Sequence, residues 1–197
     1  MRPIVLPDLK LNGTPLPVVS KIKLLGVHMN AQLDWNDHVE HMVKKARKSF
    51  FMLYRARNFD FSAKAMYIQY VWFIRIGLEY AAPVWHSGLT AQQTNRLERI
   101  QRRCLRIILG DAYISYEHAM QVLNCKTLEA RREQLTLRLG RSMLRSTAHR
   151  HMLPPTLRHV HQRNTRFGHR LRTVLCRHER YRNSAIPYIV RKLNEIQ

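Results

Sequence analysis

Acidic side chains are scarce in this 197-residue chain: 13 aspartates and glutamates stand against 34 lysines and arginines. No two aspartates are adjacent, and the acids are scattered or stand near helix starts. Clustered carboxylates, which two-metal nucleotidyl transfer needs to hold magnesium, are therefore missing from the sequence. Glycine is scarce too, with 7 residues, and there is no phosphate loop, Rossmann glycine pattern or Gly-x-Ser-x-Gly. Three cysteines (Cys104, Cys125 and Cys176) are odd in number and widely spaced, which excludes a disulfide framework and predicts reduced intracellular thiols. Long apolar runs are also lacking. The most apolar stretch, Ala65 to Val84, is broken by Gln69, Arg75 and Glu79, so it predicts a buried helix rather than a membrane span. No signal-peptide core follows Met1-Arg2-Pro3.

What is present is positive charge on a globular composition. Apolar residues make up 45%, enough for a core at this length, and the formal net charge is +21 with a pI near 10.9. Such a balance points to a nucleic-acid or anionic-surface partner, with RNA, DNA or hybrid duplex as the expected ligand. With neither a targeting signal nor a membrane span read above, the expectation is an intracellular protein of the nucleus or cytoplasm with no membrane association. Oligomeric state is not legible at this level.

The pattern along the chain predicts a mainly α fold. Residues 4–30 carry strand signals, with Asn12-Gly13 as a hairpin turn and Lys21 to His28 as a second extended segment. A hairpin with no sheet to join is marginal, so this region is expected to be poorly held. A long basic helix is expected from Asp34, with Asp34 as N-cap and Asp37 as its capping-box partner. A central helix should run from Ser62 to Ala82 and stop at Pro83; a third, opened by a Thr90/Gln93 capping box, should end at Gly110. Two more are read at Ser115–Leu123 and from Thr127 to about Arg145, the latter with Leu128, Leu135, Leu139 and Met143 inward. Residues 146–183 are rich in arginine and histidine, weakly periodic and expected to be partly irregular, before a closing helix that starts at Pro187.

Two basic faces are the candidate nucleic-acid-binding residues. In the first helix Val39, Met42, Val43, Ala46, Phe50, Leu53 and Tyr54 mark an apolar side, and Lys44, Lys45, Arg47, Lys48 and Arg55 occupy much of the rest, with Lys44, Lys45 and Lys48 as the binding candidates. In the third, Leu97, Ile100, Cys104, Ile107 and Ile108 share one arc, while Arg96, Arg99, Arg102, Arg103 and Arg106 share the other, with Glu98 as the only nearby acid. No metal ligand set stands out. His149/His151 and His159/His161 are i, i+2 pairs without a cysteine in range, and His38 and His41 are not spaced as in His-Glu-x-x-His, so a surface helix start explains them. No catalytic residue is assigned.

Five blocks in series resemble the C-terminal part of non-LTR retrotransposon reverse transcriptases of the Jockey and CR1 type, over about residues 20–197. Leu24-Leu25-Gly26-Val27 is similar to the Leu-Gly-Val block of the primer-grip hairpin. Leu33-Asp34-Trp35 with His38 and Val39 resembles the segment that opens the thumb. Leu78-Glu79-Tyr80-Ala81 with Val84-Trp85, then Leu97-Glu98 with Ile100 to Arg103, and finally Asn183-Ser184 with Ile186-Pro187 and Asn194 look like the blocks that follow. Residues 24 to about 60 also resemble the N-terminal region of an AlkB-type homologue, but no His-x-Asp iron-ligand motif occurs in the chain.

The resemblance implies the end of a palm with its primer-grip hairpin over residues 1–33, a thumb-like bundle over 34–146 and a basic C-terminal segment over 147–197. It implies a truncated enzyme that grips a template–primer duplex by its backbone and is inactive alone. Magnesium belongs only to the upstream palm, so no cofactor is expected in this chain. The alternative is a stand-alone basic helical module of a host, associated with chromatin or ribosomes; a weaker third is a host-recruited scaffold that binds protein rather than nucleic acid.

Overall fold

The computed structural model describes residues 9–161 and 166–196. Asn12 and Gly13 both take positive φ (49° and 82°), the backbone that turns a strand back within two residues. Strand β1 (Lys10–Leu11) thus pairs antiparallel with β2 (Thr14–Pro15), and every residue of both is exposed. Residues 4–8 of the predicted strand region lie outside the described residues. The segment expected to run extended from Lys21 to His28 instead folds back on itself. Leu25 (φ 46°) and Gly26 (φ 84°) make the same kind of turn between β3 (Lys21–Leu24) and β4 (Val27–Asn30). Val27 is buried, so the second hairpin, unlike the first, is anchored to the helices.

Helix α1 (Asn36–Lys48) begins one residue later than the capping pattern predicts. Asp34 is not its N-cap. Its carboxylate accepts from the Asn36 amide at 3.0 Å and from Asn30 Nδ2 at 2.8 Å, a local turn that uses up the capping oxygen. Trp35 occupies the cap position with φ 62°, and Asp37 is held by Lys21 Nζ at 2.6 Å. The long helix is also divided at Ser49, after which α2 (Phe50–Asn58) continues.

The predicted central helix divides further. It comprises α3 (Ala63–Gln69), a π-helical stretch over Tyr70–Arg75 and α4 (Ile76–Glu79). Met66, Tyr70, Ile74 and Leu78 are all buried at a strict spacing of four. In an α-helix such a row drifts by about 40° per turn. The wider i→i+5 turns of the π stretch reduce that drift and keep the row against the core. Ala81 then takes φ 51°, and α5 (Ala82–Trp85) starts anew with Pro83 in its first turn, where a missing N–H costs nothing. Pro83 therefore begins a helix rather than stopping one.

Three starts fall where the sequence places them. Thr90 and Gln93 form a reciprocal capping box on α6 (Ala91–Leu109); Ser115 caps α7 (Tyr116–Val122), and Thr127 caps α8 (Leu128–Arg145). These helices enclose a main core around Leu53, Tyr70, Trp85, Leu97 and Leu105. Of the residues expected to face inward on α8, Leu128 and Met143 are buried and Leu135 packs against the main core, but Leu139 is exposed, and Arg132, Thr136 and Gly140 are buried as well.

A second, smaller core joins Met143 to Leu153, Leu171, Ile189, Val190 and Leu193. Beyond a short α9 (Leu157–His161) and α10 (Glu179–Arg182), the closing helix α11 (Ala185–Ile196) starts two residues before Pro187, which sits in the first turn. The stretch before it is irregular but tied down. Thr156 and Leu171 form an antiparallel bridge, and the Asn194 side chain both donates to Leu171 O (3.0 Å) and accepts from Leu171 N (2.9 Å). No helix among the described residues is long and apolar enough to cross a membrane.

Candidate nucleic-acid interface

Helices α1 and α2 are set beside α6 by Glu40 pairing with Arg96, Tyr54 with Arg103, and Arg57 with the Ile107 carbonyl at 3.0 Å. These pairings advance together along both segments, so the two run in the same direction. The basic residues that this brings onto one surface are Lys44 from α1 and Arg96, Arg99, Arg103 and Arg106 from α6. At 100° per residue Lys44 lies about 40° from Glu40, whereas Lys45 lies about 140° away, on the opposite flank of α1. Lys48 falls between them, at about 80°. The seven cations therefore do not form one patch, and Lys45 faces a different cleft.

The acid near the arginine face is Glu40, from the neighbouring helix, not Glu98. Glu40 pairs with Arg96 and, at 3.6 Å, with Lys44, and these cations hold its carboxyl below the usual range. Glu98 turns inward. It accepts from the Tyr116 hydroxyl (2.7 Å) and the Glu129 amide (2.8 Å), while Gln101 joins Tyr116 and Tyr70 into the same buried chain of hydrogen bonds. Burial, reinforced by Glu98, pushes the Tyr116 hydroxyl far up, so it remains a donor.

The outward arginines are positioned by aromatic rings. Arg103 lies over Tyr54 with its guanidinium carbon 5.9 Å from the ring centre, and Arg106 lies over Tyr113 at 4.9 Å. A guanidinium stacked on a ring keeps its donor edges outward while losing little freedom. Arg99 stands exposed between Arg96 and Arg103. The face thus offers planar cations at one-turn intervals, two of them braced on tyrosines, that can meet phosphate oxygens.

A further basic row is not among the faces expected from sequence. Arg138, Arg141 and Arg145 recur at i, i+3 and i+7 on the exposed side of α8, beside a shallow cleft. Their spacing is legible, but an inward face set on Leu139 rather than Gly140 hides their common direction. Arg132 on the same helix is wholly buried, 5.7 Å over the Trp85 ring, and its guanidinium has no hydrogen-bond partner among the described residues. Burial lowers its pKa, offset in part by Glu98 and Glu129.

The Leu24–Val27 block carries no charge and stands apart from the arginine face. Leu24 and Leu25 are exposed at the hairpin tip, and Tyr80 donates its hydroxyl proton to the Leu25 carbonyl at 2.9 Å. Of the two α1 histidines read as a surface helix start, His41 is exposed, but His38 is not a surface residue. His38 is buried with its ring 5.3 Å from that of Trp85, and burial, with His28 and His41 nearby, pushes its pKa down to about 4. No group of three histidine, cysteine or acidic side chains suited to a metal ion occurs among the described residues. Burial pushes the Cys104 thiol up to about 12, in keeping with a small core residue.

Comparison with known protein families, curated proteins and solved structures finds no match.

Proposed function

We propose that the chain binds nucleic acid through its phosphate backbone, as the thumb-like region of a reverse transcriptase of the non-LTR retrotransposon type. The observation that carries this reading is the face of Lys44, Arg99, Arg103 and Arg106, in which two arginines are braced on tyrosines and one carboxylate, Glu40, stands nearby. A row of guanidinium groups on one side of a helix can follow a backbone without reading its sequence. The five sequence blocks add the retroelement assignment, and with it a nuclear or cytoplasmic setting. No catalytic step is assigned to these residues, so DNA synthesis by the chain alone is not part of the reading.

The test is a set of binding titrations on duplexes of unrelated sequence at several salt concentrations. Arg99→Gln with Arg103→Gln should weaken all of them by similar factors. The double variant should also flatten the slope of log K against log salt by roughly 0.7 to 0.9 for each phosphate that is no longer neutralised. Lys44→Gln with Lys48→Gln should act in the same direction. Unchanged slopes in both variants would show that these faces are only solvated.

A further inference from the structure

The outer face of the α3–α4 region is apolar where the sequence predicts burial. Trp72 and Phe73, adjacent on the π-helical stretch, are 65% and 62% exposed, and Ile76 and Tyr80 continue the row. Opposite them α1 presents His41 and Lys45 along one flank, and α2 adds Met52. Between the two sides lies a cleft of about 630 Å³, closed at one end by the Gly26 turn and floored by Met42, Ala46 and Leu78. Met52 and Phe73 also line a second cleft, with Phe51, Phe59 and Phe61, so the apolar surface is continuous across both. Single exposed apolar residues are ordinary, but contiguous aromatic and aliphatic surface of this extent marks an interaction site.

Charge narrows the partner. Lys23 and Lys45 line the first cleft and Arg55 the second, and no carboxylate lines either one. A second copy of a chain with net charge +21 is the wrong occupant for such a rim. A nucleic acid strand would satisfy the lysines and stack on Trp72, but it would leave Ile76, Met52, Phe59 and Phe61 facing water. An amphipathic helix with acidic flanks satisfies both, because its apolar side chains fill the groove while its carboxylates meet the lysines.

We propose that this groove docks an acidic amphipathic helix of a protein partner, with Trp72 and Phe73 as the anchoring rings and Lys23 and Lys45 as the charged rim. The site is distinct from the arginine face and does not depend on the nucleic-acid reading. Gly77 lines the groove, and a Cβ there meets nothing within 4 Å, so the groove can be blocked without disturbing the core.

The probe is a fluorescein-labelled synthetic helical peptide with leucines at i, i+3, i+4 and i+7 and glutamates on both flanks, followed by anisotropy. Trp72→Ser with Phe73→Ser, and separately Gly77→Glu, should each weaken its binding roughly tenfold or more, about 1.4 kcal/mol. Neither change touches a buried side chain, and circular dichroism should show both variants folded. A matched peptide with lysines in place of the glutamates should bind far more weakly. An oligothymidine strand should fail to displace the acidic peptide. The proposal is overturned if the acidic peptide does not bind, or if its binding is unaffected by the groove variants. It is equally overturned if the lysine peptide binds as well, or if the oligothymidine displaces the acidic peptide and itself depends on Trp72 and Phe73, which would make the groove a base-stacking site.

Discussion

The first hairpin and the segment before the closing helix are alike in sequence and opposite in structure. Neither shows clear helical periodicity: the first reads as poorly held and the second as partly irregular. In the hairpin of β1 and β2 that reading matches what is seen: each of its four strand residues is exposed, including Leu11. The stretch around Thr156 and Leu171 is equally irregular, yet Leu153 and Leu171 are buried, and Asn194 binds both backbone groups of Leu171. Weak periodicity therefore says how a segment is shaped and not how firmly it is held. What distinguishes the two is an amphipathic helix nearby with a free apolar side, which α11 supplies to one, while the four strand residues of the other stay exposed among the described residues.

The largest expected effect tests that difference directly. Ile189→Ala should cost about 2–5 kcal/mol, since it opens a cavity where Ile189 packs against Gly140 and the second core. Thermal melts should show the loss, and hydrogen exchange should place it in residues 153–171 as well as in α11. If protection of 153–171 survives, the segment does not depend on that core.

A second effect sharpens the contrast between the two hairpins, because the later one meets the bundle at His28 and His38. Among groups facing His38, His28 and His41 are titratable, and Trp35 and Trp85 pack against its ring. Its folded pKa of about 4 lies below the unfolded value of about 6.5, so the unfolded chain takes up the proton first. Stability is intact above pH 6.5 and falls as acid is added down to about 4, by at most about 3 kcal/mol for this residue. Urea titrations from pH 7 to pH 4 should show the fall, reduced in a His38→Gln variant. An unchanged pH profile in that variant would assign the sensitivity elsewhere, with His86, also pushed down to about 4 by burial, as the next site.

Asn194→Ala removes both bonds to Leu171 and should cost about 1–3 kcal/mol. Its signature is faster exchange at the Leu171 amide with α8 unaffected. The smallest effect belongs to the hairpin: Leu11→Ser should change stability by no more than about 0.5 kcal/mol, because the side chain is exposed in the folded state too. A larger loss in a denaturant titration would mean that β1 and β2 are held after all.

Capped helices are legible in sequence because a cap is chemistry between near neighbours, as at Thr90 and Gln93, Ser115 and Thr127. Breaks that arise from packing are not. The row of Met66, Tyr70, Ile74 and Leu78 reads as an ordinary helix until the core demands that all four face inward, and Ala81 carries no turn signal at all. Periodicity counts arginine as polar, so nothing local turns Arg132 inward. At the candidate interface the arginine row of α6 is visible, but the separation of Lys44 from Lys45 depends on which flank of α1 meets α6. The pairing of Glu40 with Arg96, 56 residues away, leaves no local trace. The groove is hidden for the same reason: its apolar residues look like core.

The buried guanidinium of Arg132 gives the bundle a detent. Unlike His38, which is buried as the neutral ring, a guanidinium cannot give up its proton, so no loss of charge relieves it. Sliding α8 by one turn, about 5.4 Å, would carry that charge away from the Trp85 face and the nearby carboxylates into aliphatic surroundings. Apolar helices slip past one another at small cost; this one clicks into a single position. Arg132→Met should keep or raise the melting temperature while blurring that position, seen as doubled amide signals along α8. A single sharp set of signals in the variant would show that packing alone sets the stop.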